Sequence, residues 1–84
     1  MKSIWKFPVE GVNNQSVEMP VGAQPLSLQV QGDQVCIYAL VDTEAEKEER
    51  LVQIFGTGRP VANEGTFIGT FQMTGAVVFH TFIK

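Results

Sequence analysis

A β-like run that ends in Gly-Thr-Gly and continues at once into an arginine and a proline occupies Gln53–Val61, QIFGTGRPV. Successive backbone N–H groups in such a turn, here over Gly56, Thr57 and Gly58, can form a concave nest for an anion. Thr57 adds a hydroxyl, and Arg59 a forked, permanently charged donor that suits phosphate. The stretch is not a P-loop, because no Lys followed by Ser or Thr comes after the glycines. Nor is it a dinucleotide fingerprint, since Val61 stands where the third glycine belongs and no helix is expected to follow. The plain alternative is a strand that ends in a Gly-rich turn, with Pro60 stopping the ladder.

Few other residues could do chemistry. A structural zinc site wants four Cys or His ligands at close spacing, and the chain holds one Cys, Cys36, and one His, His80. No metal or cofactor is expected. A Cys–His nucleophile pair is formally available, but Cys36 falls in the middle of an expected strand, where small buried cysteines are common. Five of the nine acidic residues crowd into Asp42–Arg50, DTEAEKEER. They lack an apolar pocket that would push two pKa values apart, as paired acid–base work requires. A solvated charge run, as a loop or single turn, is the expectation there. The chain is read as a binding protein and not as an enzyme.

The elements that must position these residues are strands. Turn formers and alternating apolar residues predict an all-β domain spanning 1–84, a small antiparallel sandwich or partly open barrel of six or seven strands. The expected strands are Ser3–Phe7, Ser16–Met19, Leu26–Gln31, Gln34–Val41, Arg50–Gly56, Thr66–Gln72 and Ala76–Ile83. The segments EGVNNQS and MPVGAQP are read as loops or irregular edges, where Pro20 and Pro25 limit ladder bonds.

Gly32-Asp33 can form a two-residue hairpin loop. That register pairs Gln31 with Gln34 and Ser27 with Tyr38, and alternation separates two faces. One face, carrying Leu26, Leu28, Val30, Val35, Ile37 and Ala39, should be core. The other carries Ser27, Gln29, Gln31, Gln34, Cys36 and Tyr38. It is either a solvent-facing sheet or a recognition surface, with glutamine amides for base edges and Tyr38 or Trp5 as a stacking plane. Trp5 has a core role as its plain alternative, while Lys6 points the opposite way along the same strand.

A second hairpin, turning at Thr74-Gly75, is expected to place Phe67, Gly69, Phe71, Val78, His80 and Phe82 on one face. Ile68, Thr70, Gln72, Val77, Phe79 and Thr81 then take the other. Both faces hold large apolar groups, unlike a sheet wetted on one side, so a homo-oligomer is expected. His80 would lie opposite Gly69, with room beside its ring. A hydrogen-bonded core histidine is the alternative. Thr70 and His80 join the candidate ligand residues.

Size and charge bound the rest. Eighty-four residues bury one modest core, and association is a usual remedy for chains this short. The net charge of −3 and the even balance outside Asp42–Arg50 disfavour binding to long nucleic acid. No apolar run reaches membrane-spanning length, no disulfide framework is possible with one cysteine, and the cytosol is the expected compartment.

The order and spacing of MKSIWKFPV, LQVQ…YALVD, IFGTG and FIGTFQ…VVFHTF resemble a family of short β-rich proteins encoded by tailed bacteriophages and prophages. The resemblance covers nearly the whole chain. Where such relatives commonly show Trp this chain has Tyr38, and where the glycine turn is often followed by His it has Arg59. The resemblance implies an anti-defence sponge of the anti-CBASS type, one that sequesters a cyclic nucleotide immune signal in the cytoplasm of the infected host. A 3′,3′-linked cyclic dinucleotide is one such ligand. Phosphates would then meet Lys6, Arg59 and the Gly56–Gly58 amides. Bases would meet Gln29, Gln31 and an aromatic plane, in a dimer or tetramer whose symmetry matches the ligand. The alternatives are an inhibitor that docks on a host protein, a minor virion component, and a nucleotide-cleaving enzyme that uses His80.

Overall fold

The computed structural model describes residues 1–73 and 75–84. They form seven strands and, among the described residues, no helix. In chain order these are β1 (Lys2–Val9), β2 (Gln15–Pro20), β3 (Gln24–Gln31), β4 (Gln34–Asp42), β5 (Lys47–Gly56), β6 (Thr66–Gln72) and β7 (Val78–Ile83). They build a three-stranded sheet, β1-β4-β3, and a four-stranded sheet, β2-β5-β7-β6. Every pairing is antiparallel. The all-β architecture expected from alternation is the one the chain adopts.

The core lies between the two sheets. Val9, Val35, Ile37, Ala39 and Val41 from the three-stranded sheet meet Met19, Val52, Ile54, Phe71 and Ile83 from the other. Each of these side chains other than Ala39 stabilises the fold by about 1.5–3 kcal/mol through removal from water. The sheets approach so closely at Gly69 that an added Cβ would come within 2.8 Å of the Leu28 Cβ. Glycine at that position is therefore a packing requirement.

The β3–β4 hairpin has the expected register, from Gln31 opposite Gln34 to Ser27 opposite Tyr38. Its core face differs in two residues. Leu26 is 48% exposed and Val30 39% exposed. A bulge between Pro25 and Ser27 swings Leu26 out of alternation, and Val30 sits on an edge strand one pair from the turn. On the other face Cys36 is buried, between Pro8 of β1 and Gln29 of β3.

Two further expectations are corrected. The charged run is half strand: β5 begins at Lys47, because Lys47–Val52 pairs with Gln15–Pro20. β2 extends one residue beyond the expected Ser16–Met19 at each end, to Gln15 and Pro20, and β3 begins at Gln24, two residues before the expected Leu26, so the segments read as loops or irregular edges are in part edge strand. Pro20 and Pro25 do fall on edge strands, as the missing donor demands.

In the last hairpin, part of the expected Thr74–Gly75 turn lies outside the described residues. The Met73 N–H donates to the Val77 carbonyl, so three residues, not two, separate that pair. The register moves by one: His80 lies opposite Thr70, not Gly69, and Gly69 faces Thr81. A bulge between Phe67 and Gly69 then restores the expected pairing of Phe67 with Phe82. As a result Phe71 and Phe79 stack on the core side at 5.4 Å. The expected division of that hairpin into faces therefore holds only beyond the bulge.

Candidate functional site

The residues singled out in the sequence divide between two surfaces on opposite sides of the molecule. The first is the outer face of the three-stranded sheet. Tyr38 stands between Lys6 of β1 and Ser27 of β3. The Gln31 amide donates to the Tyr38 hydroxyl at 2.8 Å, and the Lys6 ammonium reaches the Gln31 amide oxygen at 3.5 Å. Gln29 and Gln31 are exposed. Trp5 is absent from this surface. It lies opposite Ala39, points inward and packs against the core.

The second surface is the outer face of the four-stranded sheet and the turn beyond it. β5 ends at Gly56, and the Arg59 N–H closes a β-turn onto the Gly56 carbonyl at 3.1 Å. The turn needs a positive φ at its third position, and Gly58 supplies it at 86°. The Thr57 N–H donates to the Val78 carbonyl at 3.1 Å. Of the Gly56–Gly58 amides expected in an anion nest, that of Thr57 is therefore committed to a carbonyl, as is the adjoining Arg59 N–H, which leaves the Arg59 guanidinium as the charged group of the turn. Arg59 is exposed and makes no ion pair among the described residues; the pairs found join the Met1 amine to Asp42 and Glu44.

His80 is the centre of this surface. It is half-buried on β7, between Phe55 of β5 and Thr70 of β6. Its Nε2 lies 2.8 Å from the Thr57 hydroxyl and its Nδ1 3.1 Å from the Thr70 hydroxyl. The Thr57 hydroxyl also donates to the Val78 carbonyl at 3.2 Å. With its one hydrogen used there, Thr57 accepts from Nε2–H, and Nδ1 accepts from Thr70; this tautomer is assigned from the network. Both ring nitrogens are occupied by hydroxyls, and no carboxylate orients the ring. Cys36 belongs to the other sheet, so the two cannot form a nucleophile–base pair. Among the described residues no group of three His, Cys, Asp or Glu is placed to hold a metal ion.

Beside the histidine runs an aromatic row. Phe82 makes edge-on contacts with Phe55 at 5.7 Å and with Phe67 at 5.5 Å, across β5, β7 and β6. Phe67 is 54% exposed. β5 and β6 run parallel on either side of β7, so the segment between them must return along the sheet. Gln53 fixes that return: its amide donates to the Asn63 carbonyl at 3.0 Å, and its amide oxygen accepts from the Gly65 N–H at 2.8 Å. Gln53 is itself buried. An open cleft of about 570 Å³ lies where Gly56, Thr57 and Arg59 face the segment 76–79; Phe79 lines it, and His80 and the aromatic row do not. Sequence reasoning missed Gln53, Phe55 and the continuity of the row. The signal was the pair of apolar faces in the last hairpin.

The one shifted carboxyl lies elsewhere. The Glu44 backbone N–H holds Asp42 below the usual 3.8, with the Met1 amine adding to the effect.

Fold and surface define a class: a two-sheet, all-β protein with an amide-rich face on one sheet and an aromatic–histidine face on the other. The chain belongs to the family described as a domain of unknown function (DUF7352), whose model matches residues 1–84. No curated protein and no solved structure matches it.

Proposed function

We propose that this protein sequesters a cyclic dinucleotide immune signal without cleaving it, as a phage anti-defence protein in the cytoplasm of an infected bacterium. The resemblance to the tailed-phage family supplies the biological setting. The observation that carries the reading is the Thr57–His80–Thr70 network beside the Phe55–Phe82–Phe67 row, with Arg59 on the same turn as Thr57. The exposed Phe67 ring offers stacking to bases, which is tolerant of base identity. The guanidinium offers a bidentate contact to phosphate. The hydroxyls of Thr57 and Thr70 can trade their histidine contacts for a ligand's polar groups. The network lacks a carboxylate-backed base, which suits a protein that holds its ligand and does not react with it.

The ligand site is placed on the four-stranded sheet. Lys6, Gln29, Gln31 and Tyr38 lie behind both layers from it, and in a single chain they cannot touch the same small molecule.

Thermal melting with a panel of cyclic di- and trinucleotides tests the proposal. Saturation at a hundred times Kd stabilises by about 2.7 kcal/mol, a rise on the order of 10 °C for a chain of this size. The nucleotide recovered after digestion of the protein should be intact. Cleaved product would mean an enzyme. The absence of any shift would favour a second reading, docking on a host protein. That reading draws on the groove of about 310 Å³ between β3 and β6, where Leu26 and Phe67 are exposed.

A further inference from the structure

We infer that β6 is the edge through which two copies of this chain join, strand against strand, extending the four-stranded sheet into one of eight strands. The inference rests on the proposed nucleotide site and specifies its second half. A sheet edge presents unpaired N–H and C=O groups, and natural proteins blunt such edges with proline, charge or bulges. Four strands here are edges: β1 and β3 of one sheet, β2 and β6 of the other. β1 carries Lys2, Lys6 and Pro8, β2 carries Glu18 and Pro20, and β3 carries Pro25. β6, with the sequence TFIGTFQ, carries neither a proline nor a charge. Its one irregularity is the bulge at Ile68, which leaves Gly69–Gln72 regularly paired to β7 on the inner side.

Self-association sharpens the contrast. A two-fold axis sets each edge strand antiparallel to its own copy, so the like charges of a strand are brought close together along the seam. β1 and β2 would oppose lysines to lysines and glutamate to glutamate. β6 opposes only threonine, phenylalanine, isoleucine, glycine and glutamine. The chain as a whole has a net charge of −3, and this edge contributes none of it.

The joined arrangement has a consequence for the site. An axis perpendicular to the sheet keeps the outer faces of both copies on the same side. Both Phe67 side chains, both Thr70 hydroxyls and both His80 rings then share one continuous surface. His80 lies on β7, one strand in from the edge, so the two rings are three strand spacings apart across the sheet, at least about 14 Å. A ligand with its own two-fold symmetry, such as a cyclic dinucleotide, would meet the same residues twice.

Sedimentation velocity of the full chain tests this. The expected result is a species at twice the chain mass at micromolar concentration. Thr66 and Gln72 are exposed residues at the two ends of β6. The double substitution Thr66→Lys and Gln72→Lys lines the joined edge with four ammonium groups and should return the protein to a monomer with an unchanged circular dichroism spectrum. Ser16→Lys, at an exposed position on β2, should leave the dimer intact. A wild-type monomer overturns the inference, as does a dimer that survives the double substitution or is broken by Ser16→Lys. Nucleotide binding is measured on the same samples. A monomer that still binds overturns the interface alone, and a β6 dimer that binds no nucleotide overturns the ligand proposal alone.

Discussion

The two outer faces of this sandwich follow the same alternation rule and came to opposite compositions. On the three-stranded sheet, Lys6, Gln29, Gln31 and Tyr38 look outward, and their polar atoms satisfy one another or water. Such a face costs little to leave in solvent, although the exposed Ile4, opposite Leu40, shares it. On the four-stranded sheet, three phenylalanines and a histidine look outward, with Gln53 buried beneath a returning segment. A sheet with one wet side has no reason to assemble an aromatic row there. The difference teaches that amide-rich sequence marks solvation as readily as recognition. A hairpin apolar on both faces is the firmer pointer to a surface awaiting something.

Substitutions that strike one face and spare the other test the comparison. The largest effect is expected from Phe82→Ala. It removes a half-buried ring that touches both Phe55 and Phe67, and should cost about 2–3 kcal/mol in denaturant unfolding. Gln29→Ala, at the corresponding outward position of the other sheet, should stay within about 0.5 kcal/mol. Equal losses would erase the distinction.

Arg59→Ala should weaken binding of the cyclic nucleotide by roughly 10- to 100-fold, from a lost charged hydrogen bond of about 1.5–3 kcal/mol. Melting of the free protein should hardly move, because Arg59 is exposed and makes no ion pair among the described residues. A large loss of free-protein stability would make Arg59 structural instead. Thr81→Val probes the inner side of the strand that carries His80 and Phe82. The Thr81 hydroxyl is fully buried and has no hydrogen-bond partner among the described residues. Its replacement by a methyl group should stabilise by about 1 kcal/mol, with nucleotide affinity unchanged. A fall in stability would reveal a hidden partner for that hydroxyl.

The smallest expected effect lies at the solvated end of the same outer face. Glu49 of β5 sits directly opposite Glu18 of β2, and both are exposed. Glu49→Lys should turn a repulsive pair into an attractive one worth about 0.5 kcal/mol, fading at high salt. A gain that persists in molar salt would show that charge is not its cause.

Much of the fold was legible because alternation is a strong signal when one face is buried. Seven strands, the Gly32-Asp33 turn and the register from Gln31 to Ser27 all follow from it. What escaped was local irregularity. The bulges at Pro25–Ser27 and Phe67–Gly69, and the three-residue separation in the last turn, each move side chains by one position. Those shifts put Leu26 outside and set His80 against Thr70. No periodicity argument sees an inserted residue in advance. The β character of Lys47–Arg50 escaped for a different reason: pairing with β2 overrides a charged composition that by itself reads as loop. At the candidate site, the Gly56–Arg59 turn and His80 were visible from residue type, and their meeting through Thr57 was not. That contact depends on β5 and β7 being neighbours, a fact of topology that lies outside local sequence.

The most direct test is an NMR titration of the ¹⁵N-labelled chain with a 3′,3′-linked cyclic dinucleotide. The account predicts that the amides of Thr57, Gly58, Arg59, Thr70 and His80 shift together and saturate, while those of Gln29, Gln31 and Tyr38 stay in place. Shifts centred on the glutamine face, or none at saturating nucleotide, would contradict it.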